Sequence, residues 1–124
     1  MVQQPSPAIV VLVSDLMFAE RIERGLAALG YVPVLVPTAD AFAEAVRTHK
    51  PALALVDTGI RGVDWAGAIQ HTAADVPVLA FGSHLDLTAR QRALERGAVN
   101  VVANSKLAAD LAGLVARYAR AGTR

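Results

Sequence analysis

The chain alternates short apolar runs with amphipathic stretches along its whole length. The runs are rich in valine and leucine, and few polar residues interrupt them. Such runs are typical of strands that are buried on both faces, as in a parallel sheet. Five of them are visible: Ala8–Val13, Tyr31–Val36, Ala52–Val56, Val76–Phe81 and Asn100–Ala103.

The stretches between the runs carry apolar residues at helical spacing. Phe18, Ile22 and Leu26 repeat in this way before Gly30, which predicts a helix that ends at a glycine. Similar patterns predict four more helices. The first follows Thr38, the second covers Val63–Thr72 with Gly67 inside it, and the third covers Leu87–Arg96. The last is capped by Ser105 and carries an apolar stripe formed by Leu107, Leu111, Leu114 and Tyr118. Five strands alternating with five helices predict an α/β fold, a doubly wound parallel sheet with helices on both faces.

Composition narrows the classes of protein that remain. The chain has 124 residues, 54% of them hydrophobic, with a net charge of +1 and no cysteine. This length suits one domain, which we expect over residues 8–121 after a disordered tail at 1–7. The near-neutral charge argues against a nucleic-acid or membrane surface, and no apolar stretch near the start is long enough to span a bilayer. We expect a cytoplasmic protein.

Two acids are predicted to lie at the functional edge of this sheet. Asp57 follows the third apolar run, and Asp15 follows the first in IVVLVSD. In open α/β sheets, ligands bind beyond the carboxyl ends of the strands. The sequence alone leaves three roles open for Asp57, namely a loop cap, a metal ligand or a nucleophile.

The chain also resembles the receiver domains of bacterial response regulators over nearly its whole length. Ser14-Asp15 resembles the paired acids of that family, Asp57 its phosphate-accepting aspartate, and RALERGAVNVV its fourth helix and fifth strand. The resemblance implies the flavodoxin-like strand order 2-1-3-4-5. It also implies a Mg²⁺ site formed by Asp15, Asp57 and the carbonyl of Gly59, and a histidine kinase or phosphotransfer protein as donor. The implied protein is a stand-alone signalling module and not an enzyme.

Several positions depart from the family pattern. Ser14 replaces the first of the paired acids, and Gly82 replaces the hydroxyl residue that ends strand 4, with Ser83 one residue late. Val101 stands in place of the aromatic switch residue, and Asn104 in place of the lysine that ends strand 5. An amide cannot neutralise a phosphoryl oxygen as a lysine does. The resemblance therefore implies an atypical receiver with a weakened site and degenerate switch residues.

These departures keep a second hypothesis open, a pseudo-receiver that acts as a phosphorylation-independent protein-interaction module with a downstream partner. Asp57 would then cap its loop and Asp15 its helix. The resemblance implies that such a module could form a homodimer through strand 5 and the last two helices. Lys106 could replace the missing lysine or point along its helix, and Trp65 would anchor a partner if it were exposed. An enzyme with a small-molecule pocket ranks a distant third, because no nucleophile–base pair or phosphate loop is present.

Overall fold

The computed structural model describes residues 6–121 and contains a five-stranded parallel sheet. The strands are β1 (Ala8–Leu12), β2 (Val32–Val36), β3 (Leu53–Asp57), β4 (Val78–Gly82) and β5 (Asn100–Ala103). Their order in the sheet is β2-β1-β3-β4-β5, which confirms the predicted topology. All four pairs of neighbouring strands are parallel, so the carboxyl ends of the strands share one edge.

Helices cover both faces of this sheet. They are α1 (Leu16–Ala28), α2 (Ala39–His49), α3 (Trp65–Ala73), α4 (Leu87–Glu95), α5 (Asn104–Ala109) and α6 (Leu111–Tyr118). One core cluster packs Phe42, Ile69 and Ala93 of α2, α3 and α4 against the sheet. A second cluster packs Leu26 of α1 and Leu107 of α5 against the opposite face, together with residues of α6. The doubly wound architecture is thus confirmed.

The prediction of five helices was wrong by one, because the last predicted helix is divided at Asp110. The backbone of Asp110 has φ −132° and ψ 43°, which interrupts the helix between α5 and α6. The predicted cap was wrong as well. Ala103 stands at the N-terminus of α5, no side chain caps that end, and Ser105 lies inside the first turn. β5 therefore runs directly into α5.

The strand ends differ from the predicted runs by one or two residues. Val76 donates its backbone N–H to Thr72 at the end of α3, so β4 begins only at Val78. The predicted tail falls mostly on residues outside the described part of the chain. Pro7, which was included in that tail, accepts a hydrogen bond from the backbone of Val32. Within residues 6–121 no helix combines the length and apolarity needed to cross a membrane.

Candidate functional site

The site lies where β1 and β3 end side by side. Leu12 of β1 is paired with Val56 of β3, so the residues that follow each strand emerge at the same place. Asp57 is the last residue of β3, and Asp15 stands between β1 and α1. The sheet topology therefore brings together the two acids that the sequence separates by more than forty positions.

Asp57 is half-buried, and its surroundings disfavour the charged form. Burial is the main cause that raises the pKa of the Asp57 carboxyl above its ordinary value, and the negative charge of Asp15 raises it further. A hydrogen bond from the backbone N–H of Gly59 to Oδ1, 2.8 Å long, acts in the opposite direction. A cation at this place would relieve an unfavourable arrangement.

Asp15 caps the first helix. Its Oδ1 accepts hydrogen bonds from the backbone N–H groups of Met17 and Phe18, both 3.0 Å long. Both acids thus use Oδ1 to hold backbone, as the capping roles predict. The Oδ2 atom of neither acid accepts a hydrogen bond from residues 6–121. Capping and ligand binding are therefore compatible, because each carboxylate keeps one oxygen for another partner.

The donor set fits a hard divalent cation. Oδ2 of Asp15, the carboxylate of Asp57 and the carbonyl of Gly59 are oxygen ligands of the kind that Mg²⁺ prefers, and Mg²⁺ usually keeps several waters. The described residues contain no group of three or more histidine, cysteine, aspartate or glutamate side chains arranged to hold a metal. A Mg²⁺ site here would take two carboxylates and one carbonyl from the protein, with waters as the remaining ligands.

The positions that the sequence predicts to depart from the family pattern lie on several elements. Ser14 is exposed between β1 and α1, and Asn104 is exposed as the first residue of α5. Val101 is buried in β5. Ser83 is exposed, and its hydroxyl accepts a hydrogen bond from the backbone of Leu85, so it stabilises a local turn.

Two further candidates, Lys106 and Trp65, make contacts with other residues of the domain. Lys106 forms an ion pair with Asp110, with 3.2 Å between Nζ and Oδ2, and therefore points along its own helix. Trp65 is 9% exposed and belongs to the core of α3. The guanidinium of Arg92 lies 5.3 Å from the centre of the indole ring. Trp65 is therefore not exposed, as an anchor for a partner would need to be, and its side chain packs into the core beside α3.

Sequence reasoning missed one residue at the site, Thr58. It follows Asp57 directly, is 8% exposed, and fills the space beside Gly82. The sequence alone gives no signal for it, because Thr58 directly follows β3 and Gly82 ends β4, far apart along the chain. Only the strand register shows that the two residues meet.

Comparisons with known proteins find similarity in structure. No family profile matches the sequence, and no curated protein is significantly similar to it. The signal receiver domain of NarL from Mycobacterium tuberculosis superposes with a TM-score of 0.78 at 22% identity, covering 92% of this chain and 96% of that domain.

Two other receiver structures agree with this result. The receiver domain of NtrX from Brucella abortus gives a TM-score of 0.78 at 18% identity, covering 88% of this chain and 95% of its own. A CheY-like receiver domain protein from Methanospirillum hungatei gives 0.81 at 15% identity, covering 91% and 93%. The chain therefore has the receiver-domain fold that the sequence predicted.

Proposed function

We propose that this protein is an atypical receiver domain of two-component signalling that accepts a phosphoryl group on Asp57. One observation supports the proposal above all. At the carboxyl edge of a receiver fold, a half-buried aspartate keeps one carboxylate oxygen free beside a second acid. That arrangement leaves an oxygen available for a phosphoryl group and a pair of acids available for a divalent cation.

The chemistry follows from the position of that oxygen. Oδ2 of Asp57 attacks the phosphorus of a phosphohistidine, the P–O bond forms, and the P–N bond breaks. A phosphohistidine that carries a proton on its second ring nitrogen releases its imidazole with the electron pair of the P–N bond, so the imidazole ends neutral, and Asp57 becomes an acyl phosphate. Catalysis of phosphoryl transfer consists mainly of positioning and charge stabilisation, so the chain needs no general base for this step.

Asp15, Asp57 and the carbonyl of Gly59 are the groups that would hold Mg²⁺. Bound there, the ion supplies positive charge that offsets the two carboxylates and the incoming phosphoryl oxygens. The Gly59 N–H holds Oδ1 of Asp57, and Oδ2 accepts no hydrogen bond from residues 6–121 and is left for the attack. Asp15 anchors the start of α1 and keeps its own Oδ2 at the site.

The partners follow from the same proposal. The phosphoryl donor would be a histidine kinase or a phosphotransfer protein, and both would meet the domain in the cytoplasm. A homodimer would use β5 and the helices beside it, where β5 is an edge strand. Arg90 of α4 donates a 2.6 Å hydrogen bond to the carbonyl of Val101 and so ties α4 to that strand. Leu94 and Val99 are partly exposed on the same side.

The experiment is an amide NMR titration with Mg²⁺ followed by beryllofluoride, a phosphoryl mimic, on the wild type and on Asp57→Asn. We expect shifts at Asp15, Asp57 and Gly59 in the wild type and none there in the variant. The variant is well matched, because an asparagine oxygen can still accept the Gly59 hydrogen bond. A wild type that stays unchanged at millimolar Mg²⁺ and beryllofluoride would contradict the proposal.

The second candidate function is a pseudo-receiver that binds a partner without phosphoryl chemistry. Exposed apolar side chains around the site favour it: Leu16 and Met17 are 84% and 86% exposed, and Leu85 and Leu87 are 78% and 70% exposed. Asn104 provides no charge for a phosphoryl oxygen. This candidate requires a silent titration, and a binding partner should then lose affinity when Met17 and Leu85 are changed to serine.

A further inference from the structure

Thr58, the residue that follows Asp57, carries a buried hydroxyl. Thr58 and Thr72 are the two buried polar side chains in the part of the chain that the structure describes. Thr72 lies in α3, whereas Thr58 is the first residue after Asp57. Burying a hydroxyl is unfavourable unless it finds a hydrogen-bond partner, so its position calls for a physical explanation.

The hydrogen bond that this hydroxyl makes is weak and partly redundant. Oγ1 of Thr58 lies 3.3 Å from the carbonyl oxygen of Phe81, well beyond the usual O–H···O distance of about 2.7–2.8 Å. The same carbonyl already accepts the backbone N–H of Thr58 at 2.9 Å. The hydroxyl can therefore leave this acceptor, and the carbonyl keeps a good partner.

The hydroxyl also occupies the space of a missing side chain on β4. A methyl group placed on the Cα of Gly82 would lie 2.2 Å from Oγ1 of Thr58. Asp57 is paired with Phe81, so Thr58 and Gly82 follow side by side at the ends of their strands. The residue after β3 thus places a hydroxyl in the space that a side chain at Gly82 of β4 would otherwise fill.

We propose that the Thr58 hydroxyl binds a phosphoryl oxygen on Asp57, turning from the carbonyl of Phe81 to the new anion. This inference rests on the proposed function. The exchange replaces a long neutral hydrogen bond with one to a charged oxygen, which is the stronger kind. A phosphoryl group carries three such oxygens, and the Gly59 N–H is the other donor at the acceptor. Thr58 would therefore bind the phosphoryl group and would not hold the metal.

The test measures the affinity for beryllofluoride at saturating Mg²⁺ in the wild type, Thr58→Val and Thr58→Ser. Valine keeps the shape of threonine and removes the hydroxyl. We expect Thr58→Val to bind about tenfold more weakly, the loss of one hydrogen bond to a charged group. We expect Thr58→Ser to bind like the wild type, and Mg²⁺ affinity to stay unchanged in both variants.

The outcomes separate this inference from the proposed function. If the wild type binds beryllofluoride and Thr58→Val binds it equally well, the role of Thr58 is refuted and the acceptor role of Asp57 stands. Equal losses in Thr58→Val and Thr58→Ser would attribute the effect to packing and would also refute it. A wild type without binding overturns both ideas.

A second pair of variants tests the inference if Thr58→Val does not fold. The double variant Thr58→Ala with Gly82→Ser moves the hydroxyl from the residue after β3 to the last residue of β4. The double variant Thr58→Ala with Gly82→Ala is its control. We expect the serine pair to bind beryllofluoride more tightly than the alanine pair. Equal affinities would show that a hydroxyl in this space does not contact the phosphoryl group.

Discussion

The contact between Thr58 and Gly82 predicts that substitutions at these two residues, which lie at the ends of neighbouring strands, have strongly coupled effects on the free energy of unfolding. The 2.2 Å separation from Oγ1 of Thr58 to a methyl group on Gly82 is far shorter than any stable contact. Gly82→Ala must therefore displace Thr58 or move the strand ends. Turning the hydroxyl away would leave it buried without its Phe81 acceptor, and moving the strands would disturb a core in which both residues are buried.

The magnitude can be worked out from these two costs. Overpacking of a core, or an unsatisfied buried hydroxyl, costs about 1–3 kcal/mol. Replacing glycine inside a strand returns about 0.5–1 kcal/mol, because alanine loses less conformational entropy on folding. We expect Gly82→Ala to lower the free energy of unfolding by about 1–2 kcal/mol. In a Thr58→Ala background the clash is absent, and Gly82→Ala should be neutral or slightly stabilising.

The assay is a double-mutant cycle by urea denaturation at equilibrium. The two substitutions should show a coupling energy of about 1–3 kcal/mol, well above the roughly 0.5 kcal/mol expected for independent sites. Thr72→Ala combined with Gly82→Ala is the matched control, since Thr72 is the other buried threonine and is expected to be additive. If the Thr58 and Gly82 effects also add, the hydroxyl does not occupy this space and the argument for its role fails.

Three other measurements test the site. Asp57→Asn should raise the free energy of unfolding at neutral pH. The pKa of Asp57 is raised in the folded state, so the wild type is stabilised below the ordinary pKa of 3.8. That stabilisation is lost as the pH rises through the folded-state pKa, and the variant does not lose it. The gain should disappear in acid urea titrations, and a gain independent of pH would contradict the cause. Mg²⁺ should raise the melting temperature of the wild type, measured by calorimetry, but not that of Asp57→Asn. The rise should be smaller in Asp15→Asn, which keeps its helix cap. Equal rises in all three proteins would show that the ion binds elsewhere. Lys106→Ala should cost at most about 0.5 kcal/mol by urea denaturation, as an exposed pair does, and should leave beryllofluoride affinity unchanged. A weakened affinity would restore Lys106 as a phosphate ligand.

The order of elements could be predicted from the sequence because strands that are buried on both faces appear as continuous apolar runs. The central strands are apolar at nearly every position, and the structure buries β1 and β4 completely. β2 is an edge strand, and its residues are half-buried or exposed although its sequence reads like the others. An apolar run thus identifies a strand but does not show whether the strand lies at the centre of the sheet.

The division of the last helix was not visible in its apolar pattern. Leu107 and Leu111 are both buried, so the stripe continues across the interruption at Asp110. A local signal was available. Asp64 begins α3 and its side chain accepts the N–H of Gly67, where any Cβ would collide with the carboxylate. Asp110 and Gly113 repeat this spacing and this collision. Gly67 thus leaves room for the carboxylate that caps α3, and Gly113 leaves the same room beside Asp110, although Asp110 makes no capping hydrogen bond.

The site was predicted in part, because its acids follow strands and its other contacts depend on register. Asp15 and Asp57 can be placed from the rule for strand ends, and both lie at the predicted edge. Which oxygen each acid leaves open depends on its local turn, and the pairing of Thr58 with Gly82 depends on the alignment of β3 with β4. No local pattern in a single sequence encodes either of these.

The losses at Ser14 and Asn104 also make sense together when the charges at the site are added. The family pattern implies three acids, one lysine and one Mg²⁺, which sum to zero. In this chain Ser14 removes one negative charge and Asn104 removes one positive charge, so two acids and one Mg²⁺ again sum to zero. A metal site with two carboxylates would be weakened by a neighbouring lysine, because like charges repel strongly where water is partly excluded. Under the proposed function, the missing lysine therefore does not by itself indicate a dead site, and a hydroxyl donor such as Thr58 can bind phosphoryl oxygen without changing this balance.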